Sequence, residues 1–196
     1  MERIVDFHTH YIPESIANFS APGCTQLVIE TPTCGQLFEG GKAYRTIDER
    51  CWDAERRIRD MDERAIALQV ISPIPVTNSY LSAPAQGREF ARLHNEGIAN
   101  VVRTRPDRFA GLGAVPLQDV EAACAELTYC RRELGMLGVE IATYGGVREL
   151  DHPDLLPFWQ LANDLNAVVF IHPENAPGFE RHRNIVQFIA AAAYPA

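Results

Sequence analysis

Residues 3–10 read RIVDFHTH, a β-rich run over Arg3–Phe7 that leads into two histidines one residue apart. Four more short runs follow, at Ala67–Ser72, Phe109–Val115, Leu137–Ile141 and Ala167–Ile171. Short, near-continuous apolar runs are the pattern of strands buried on both faces. Helical spacing fills the intervals between them. Asp53–Arg64 places Ile58 and Met61 three apart on an otherwise charged segment. Ala85–Thr104 sets Phe90, Leu93, Ile98 and Val101 at helical spacing, and Pro106 ends it. Asp119–Leu134 opens at a capping aspartate and stops at Gly135. Asp151 is placed to cap a fourth helix, with Pro153 in its first turn and its end near Leu165. This α/β alternation predicts a parallel sheet with right-handed crossovers. A barrel and an open doubly wound sheet share the pattern. No GxGxxG follows the first strand, which removes the usual sign of a dinucleotide-binding sheet.

His8 and His10 stand at i and i+2 at the end of the first run, so strand alternation sends both rings to one face. Two neutral imidazoles aimed at one point suit a Zn²⁺-type cation, given a partner for each ring's other nitrogen. HxH alone is a weak signal. Its position says more, because barrel active sites are built at the C-terminal ends of the strands. His172 ends the fifth run in the same way, after AVVFI and before PEN. The expectation is one metal site held by His8, His10 and His172. The other histidines are expected in structural or surface roles: His94 in mid-helix, His152 beside a helix start, and His182 in a polar segment after the fifth run.

Residues 11–50 break the regular spacing. They are rich in Pro, Gly, Thr and Cys, and read as a long loop or insertion after strand one. Loops of that length usually serve as lids or ligand-binding segments.

Composition narrows the rest. The chain has 196 residues, 46% hydrophobic and 22% charged, as expected of a single globular domain. A formal net charge of −8 argues against nucleic acid or an anionic membrane as the main partner. The N-terminus lacks the apolar h-region of a signal peptide, and no apolar run approaches the ~18 residues of a membrane span. The five cysteines, 24, 34, 51, 124 and 130, form no CxxC pair. Reduced thiols in a cytoplasmic protein are the expectation. Cys124 and Cys130 fall within a helical pattern, as small apolar residues.

Several stretches together resemble one family. DFHTHYIP (6–13), RIRDMDERAIALQVIS (57–72), RPDRFAGLGAVPLQD (105–119), LGVEI (137–141) and VVFIHPEN (168–175) are similar to the amidohydrolase-related decarboxylases. The best-known type of that family is aminocarboxymuconate-semialdehyde decarboxylase. The resemblance runs along nearly the whole chain. It implies a (β/α)8 TIM-type barrel of which about the first five β/α units are present here. It also implies that His8, His10 and His172 are ligands to a divalent metal, usually zinc, with manganese the alternative. The family's carboxylate-binding arginine precedes a tryptophan in the loop after strand one. Arg45 and Trp52, in KAYRTIDERCW, occupy that place. A planar guanidinium suits a carboxylate independently of the resemblance. Trp52 is expected against the barrel rim more than on substrate.

The family pattern continues where this sequence does not. Strands six to eight carry a further acid/base histidine and an aspartate, neither of which has a counterpart here. A complete barrel needs about 250 residues. The expectation is therefore part of a longer barrel, inactive by itself, with no catalytic acid or base to name. The implied reaction is non-oxidative decarboxylation of a small, anionic, unsaturated or aromatic carboxylic acid, by an enzyme of a family in which dimers are common. Metal-dependent hydrolysis of a lactone or amide uses the same ligands and is the alternative. A phosphoesterase of the PHP type and a non-catalytic assembly module rank below both.

Overall fold

The structure is a computed structural model that describes residues 3–173, apart from residues 18 and 147. His182 and the other residues from 174 onward lie outside the described residues. Five strands, β1 (Ile4–His10), β5 (Ile66–Ser72), β6 (Phe109–Gly113), β7 (Gly138–Ala142) and β8 (Val168–His172), form one parallel sheet in chain order. The helices α1 (Ala54–Glu63), α2 (Pro84–Thr104), α3 (Val120–Arg132) and α4 (Leu156–Asp164) provide the crossovers. Ile98 of α2, Leu127 of α3 and Phe158 of α4 are buried in one cluster with Phe109, Val139 and Ile141 of the strands. Outward-facing strand residues thus meet the apolar stripes of the helices, the packing that the alternation requires.

Local chemistry sets most helix ends. Asp53 accepts from the Arg56 amide to open α1, and Asp119 accepts from the Ala122 amide to open α3. The fourth helix starts differently from expectation. A 3₁₀ turn at Pro153–Leu155 precedes α4, and its cap is His152, whose Nδ1 accepts from the Asp154 amide at 3.2 Å. Pro153 holds the residue before it in an extended conformation, which places His152, and not Asp151, at the cap.

Burial is uneven across the sheet. β7 is buried along its whole length, whereas β1 and β8 are largely open. These two are the outermost strands of the described sheet, so the expectation of burial on both faces holds only for the strands between them.

Residues 26–48 depart from the loop reading. They form an antiparallel meander of β2 (Gln26–Thr31), β3 (Cys34–Glu39) and β4 (Lys42–Asp48). Gly40 and Gly41 both have positive φ between β3 and β4, as a two-residue hairpin turn demands. Leu27, Leu37, Ile47 and Trp52 pack with Ile12, Ile16 and Phe90 of α2 in a second core. Among the described residues all five cysteines are free, and no helix is long and apolar enough to cross a membrane.

Candidate metal centre

The first strand does not alternate simply. Asp6 pairs with Gln69 and Thr9 with Ile71, so Phe7 and His8 together span the interval that Val70 alone fills on β5. A slip of this kind re-aims side chains, as bulges beside active sites do. Asp6 accepts from Gln69 Nε2 at 3.1 Å, and Thr9 accepts from Arg57 of α1 at 2.8 Å. The slip leaves the two histidines facing the interior of the curled sheet. His172, at the end of β8, completes the group. Ring centroids are 5.1 Å apart for His8 and His10, 5.0 Å for His8 and His172, and 5.1 Å for His10 and His172. One nitrogen from each ring lies within 4.8 Å of those from the other two.

The second nitrogens decide whether this cluster suits a cation. His10 Nδ1 is 3.0 Å from the Pro73 carbonyl, and His172 Nδ1 is 2.9 Å from the Pro173 carbonyl. A carbonyl only accepts, so each Nδ1 carries the proton and each Nε2 keeps a lone pair for a ligand. Burial, followed by the neighbouring His172 and His8, pushes His10 down to about 3. Burial also lowers His172. Both are therefore neutral near pH 7, the form that binds metal. Nitrogens bound to one tetrahedral ion at ~2.1 Å stand about 3.4 Å apart, so small ring rotations close the set. The residues fit a divalent cation.

Around the cluster, Phe170 lies 5.1 Å from the His8 ring and 5.7 Å from Phe7, an apolar floor beneath the three imidazoles. Two polar residues escaped the sequence reading. Ser72 Oγ lies 3.2 Å from His10 Nδ1 and donates to Glu140 Oε2 at 2.6 Å. Glu140 is 1% exposed. Its signal was available as the lone charge in the middle of LGVEI.

The remaining expected residues fall elsewhere. Arg45 is exposed on β4, its guanidinium 5.6 Å from the Tyr44 ring. Trp52 is 5% exposed in the core of the meander, and its carbonyl accepts from the Tyr11 hydroxyl. Its indole lies against β3, where a side chain in place of Gly35 would meet the ring at 3.4 Å. His94 is fully buried in α2, bonded to the Phe90 carbonyl at 3.2 Å.

Comparisons with known proteins agree with this geometry. The amidohydrolase family profile matches residues 5–194. A 2-amino-3-carboxymuconate-6-semialdehyde decarboxylase of Dictyostelium discoideum is 34% identical over 181 residues, covering 90% of this chain and 50% of its own. The crystal structure of a dihydroxybenzoic acid decarboxylase from Polaromonas sp. JS666, with manganese and 2-nitroresorcinol bound, superposes with a TM-score of 0.70 at 25% identity. It covers 94% of this chain and 53% of its own. A 5-carboxyvanillate decarboxylase from Novosphingobium aromaticivorans, also with manganese, gives a TM-score of 0.63 at 32% identity, covering 66% of this chain and 37% of its own. The chain spans about half the length of the curated relatives it matches. Five parallel strands in barrel order, the three histidines at their C-terminal ends and a match over nearly every residue lead to one conclusion: this chain belongs to the amidohydrolase family.

Proposed function

We propose that the barrel to which these five units belong is a divalent-metal-dependent decarboxylase of small aromatic or unsaturated carboxylic acids. The observation that carries the reading is the convergence of His8, His10 and His172 within 4.8 Å at the open ends of β1 and β8. Relatives named for decarboxylation of carboxymuconate, dihydroxybenzoate and carboxyvanillate support the substrate class.

His8, His10 and His172 would hold the ion, zinc or manganese, through the nitrogens that their backbone partners leave free. A bound divalent ion supplies Lewis acidity and a fixed orientation for oxygen ligands. The Phe170 and Phe7 rings offer an apolar surface beside that point, which suits a flat, apolar ring. Arg45 would hold an anionic group of the substrate from the meander. Trp52 keeps β3 and the rim in place without an open face of its own. Decarboxylation breaks the bond to the carboxyl carbon, and the electron pair enters the substrate's conjugated system. A proton then takes the vacated position. Among the described residues no histidine outside the cluster is placed to deliver it, since His94 is buried in α2 and His152 caps a turn.

The test is product analysis with the full-length protein, loaded with Mn²⁺ or Zn²⁺. Incubation with 2,6-dihydroxybenzoate, 5-carboxyvanillate and related acids is expected to release CO₂ in step with loss of substrate. Turnover of a lactone or amide panel without CO₂ release would replace decarboxylation by hydrolysis.

A further inference from the structure

We propose that Glu140 is a positioning residue for the metal site, acting through Ser72 to hold His10 in the tautomer and orientation that leave Nε2 free for the cation. This rests on the three-histidine metal reading and extends it to a residue beyond the cluster.

Glu140 lies in the middle of β7, a strand buried throughout, and is 1% exposed. Removing a carboxylate from water is costly unless strong hydrogen bonds replace the lost solvation. Here the Ser72 hydroxyl donates to Oε2 at 2.6 Å, the short length of a charge-assisted bond. A serine hydroxyl has one proton. With that proton directed to Glu140, the oxygen turns a lone pair toward His10 Nδ1, 3.2 Å away. Nδ1 then has two acceptors, Ser72 Oγ and the Pro73 carbonyl at 3.0 Å, and both demand a proton on that nitrogen. Glu140 Oε2 itself is 3.7 Å from Nδ1, near enough to add electrostatic support.

The carboxylate matters because it sets the direction of the hydroxyl. Without it the Ser72 O–H is released to the Thr9 carbonyl, 3.3 Å away, or to Nδ1, where as a donor it opposes the Pro73 carbonyl. The latter arrangement favours a proton on Nε2, the atom the metal needs bare. The three residues come from three strands of one sheet: His10 pairs with Ser72 across β1 and β5, while Glu140 reaches Ser72 from β7 past the glycine-rich β6.

The experiment measures Zn²⁺ affinity by chelator competition, together with the His10 tautomer from ¹⁵N-resolved imidazole spectra of the metal-free protein. Wild type, Glu140→Leu and Ser72→Ala are compared, with circular dichroism to report folding. Both variants are expected to bind Zn²⁺ about 10–100-fold more weakly. Glu140→Leu, which removes the acceptor of the serine hydroxyl, should also shift His10 away from the pure Nδ1–H form. Wild-type affinity and tautomer in a folded Glu140→Leu protein would overturn the inference. If Glu140→Leu fails to fold, Ser72→Ala decides by its Zn²⁺ affinity, and an affinity equal to wild type would overturn the inference. Failure of the wild type itself to bind Zn²⁺ or Mn²⁺ would instead overturn the metal reading.

Discussion

The His8 and His172 rings stand 5.0 Å apart, although β1 and β8 are the two outermost strands of the five-stranded sheet. In a flat sheet, four strand spacings of ~4.8 Å would separate them by about 19 Å. Only a curled sheet, with the inner faces of its first and fifth strands turned toward each other, brings the rings together. The Phe7–Phe170 contact at 5.7 Å repeats the same meeting one layer below. A metal ion held here would tie the sheet's two edges across its concave face, linking the site to the curvature of the fold.

Single substitutions of His8, His10 or His172 by alanine should each abolish stable metal binding, because a three-ligand set reduced to two no longer encloses the ion. Elemental analysis after dialysis is expected to show about one ion per chain in the wild type and in the His152→Ala control. Full retention of metal in any of the three site variants would remove that residue from the ligand set.

Arg45 is expected to act on the anionic end of the substrate. Loss of a charged hydrogen bond of about 1.5–3 kcal/mol predicts roughly 10–150-fold weaker binding of an aromatic carboxylate to Arg45→Ala. Equilibrium titration checks this, and unchanged affinity would place the carboxylate elsewhere.

His94 makes stability depend on pH independently of the metal site. Burial lowers it from 6.5 to about 4, with only the Phe90 carbonyl opposing. Between those values the unfolded chain binds a proton that the folded chain refuses. Stability is therefore complete above about pH 6.5 and is lost as the pH falls toward 4, by about 3 kcal/mol. Urea unfolding of metal-free protein at pH 7 and pH 4.5 should show this loss. His94→Leu should make the dependence shallower, leaving the part that the lowered His10 and His172 contribute in the metal-free protein, and an equally steep profile in that variant would contradict the assignment.

Glu126 of α3 is 1% exposed and is gripped by Arg92 through Nε at 3.0 Å and Nη2 at 2.6 Å. Asn95 Nδ2 adds a further bond at 3.1 Å and also donates to the Ala114 carbonyl, tying α2 and α3 to the end of β6. Arg92→Ala leaves a buried carboxylate short of a partner and should cost about 2 kcal/mol, less than for a fully buried pair because the arginine opens to solvent. The double variant Arg92→Ala, Glu126→Leu should recover most of that in urea unfolding. A double variant no more stable than the single one would mean that packing, and not the stranded charge, sets the loss.

Much of this molecule was legible locally. The capping aspartates Asp53 and Asp119 act through amides three residues away, and hydrophobic periodicity is complete within a single turn or strand. The hairpin at Gly40 and Gly41 was equally local, yet a stretch rich in Pro, Gly and Thr masked the short strands beside it. His152 took the cap from Asp151 because of Pro153, a neighbour effect that residue type alone does not express.

From the sequence alone came five strands alternating with helices and three histidines, each at a strand's C-terminal end. Such features depend on windows of a few residues. The tertiary structure alone decided that the slip on β1 turns Asp6 to Gln69 while His8 and His10 face inward. It also decided that Ser72 and Glu140 stand behind His10. These relationships arise from sheet order, register and curl, which are set by the packing of the whole chain and leave no mark in any short stretch of it.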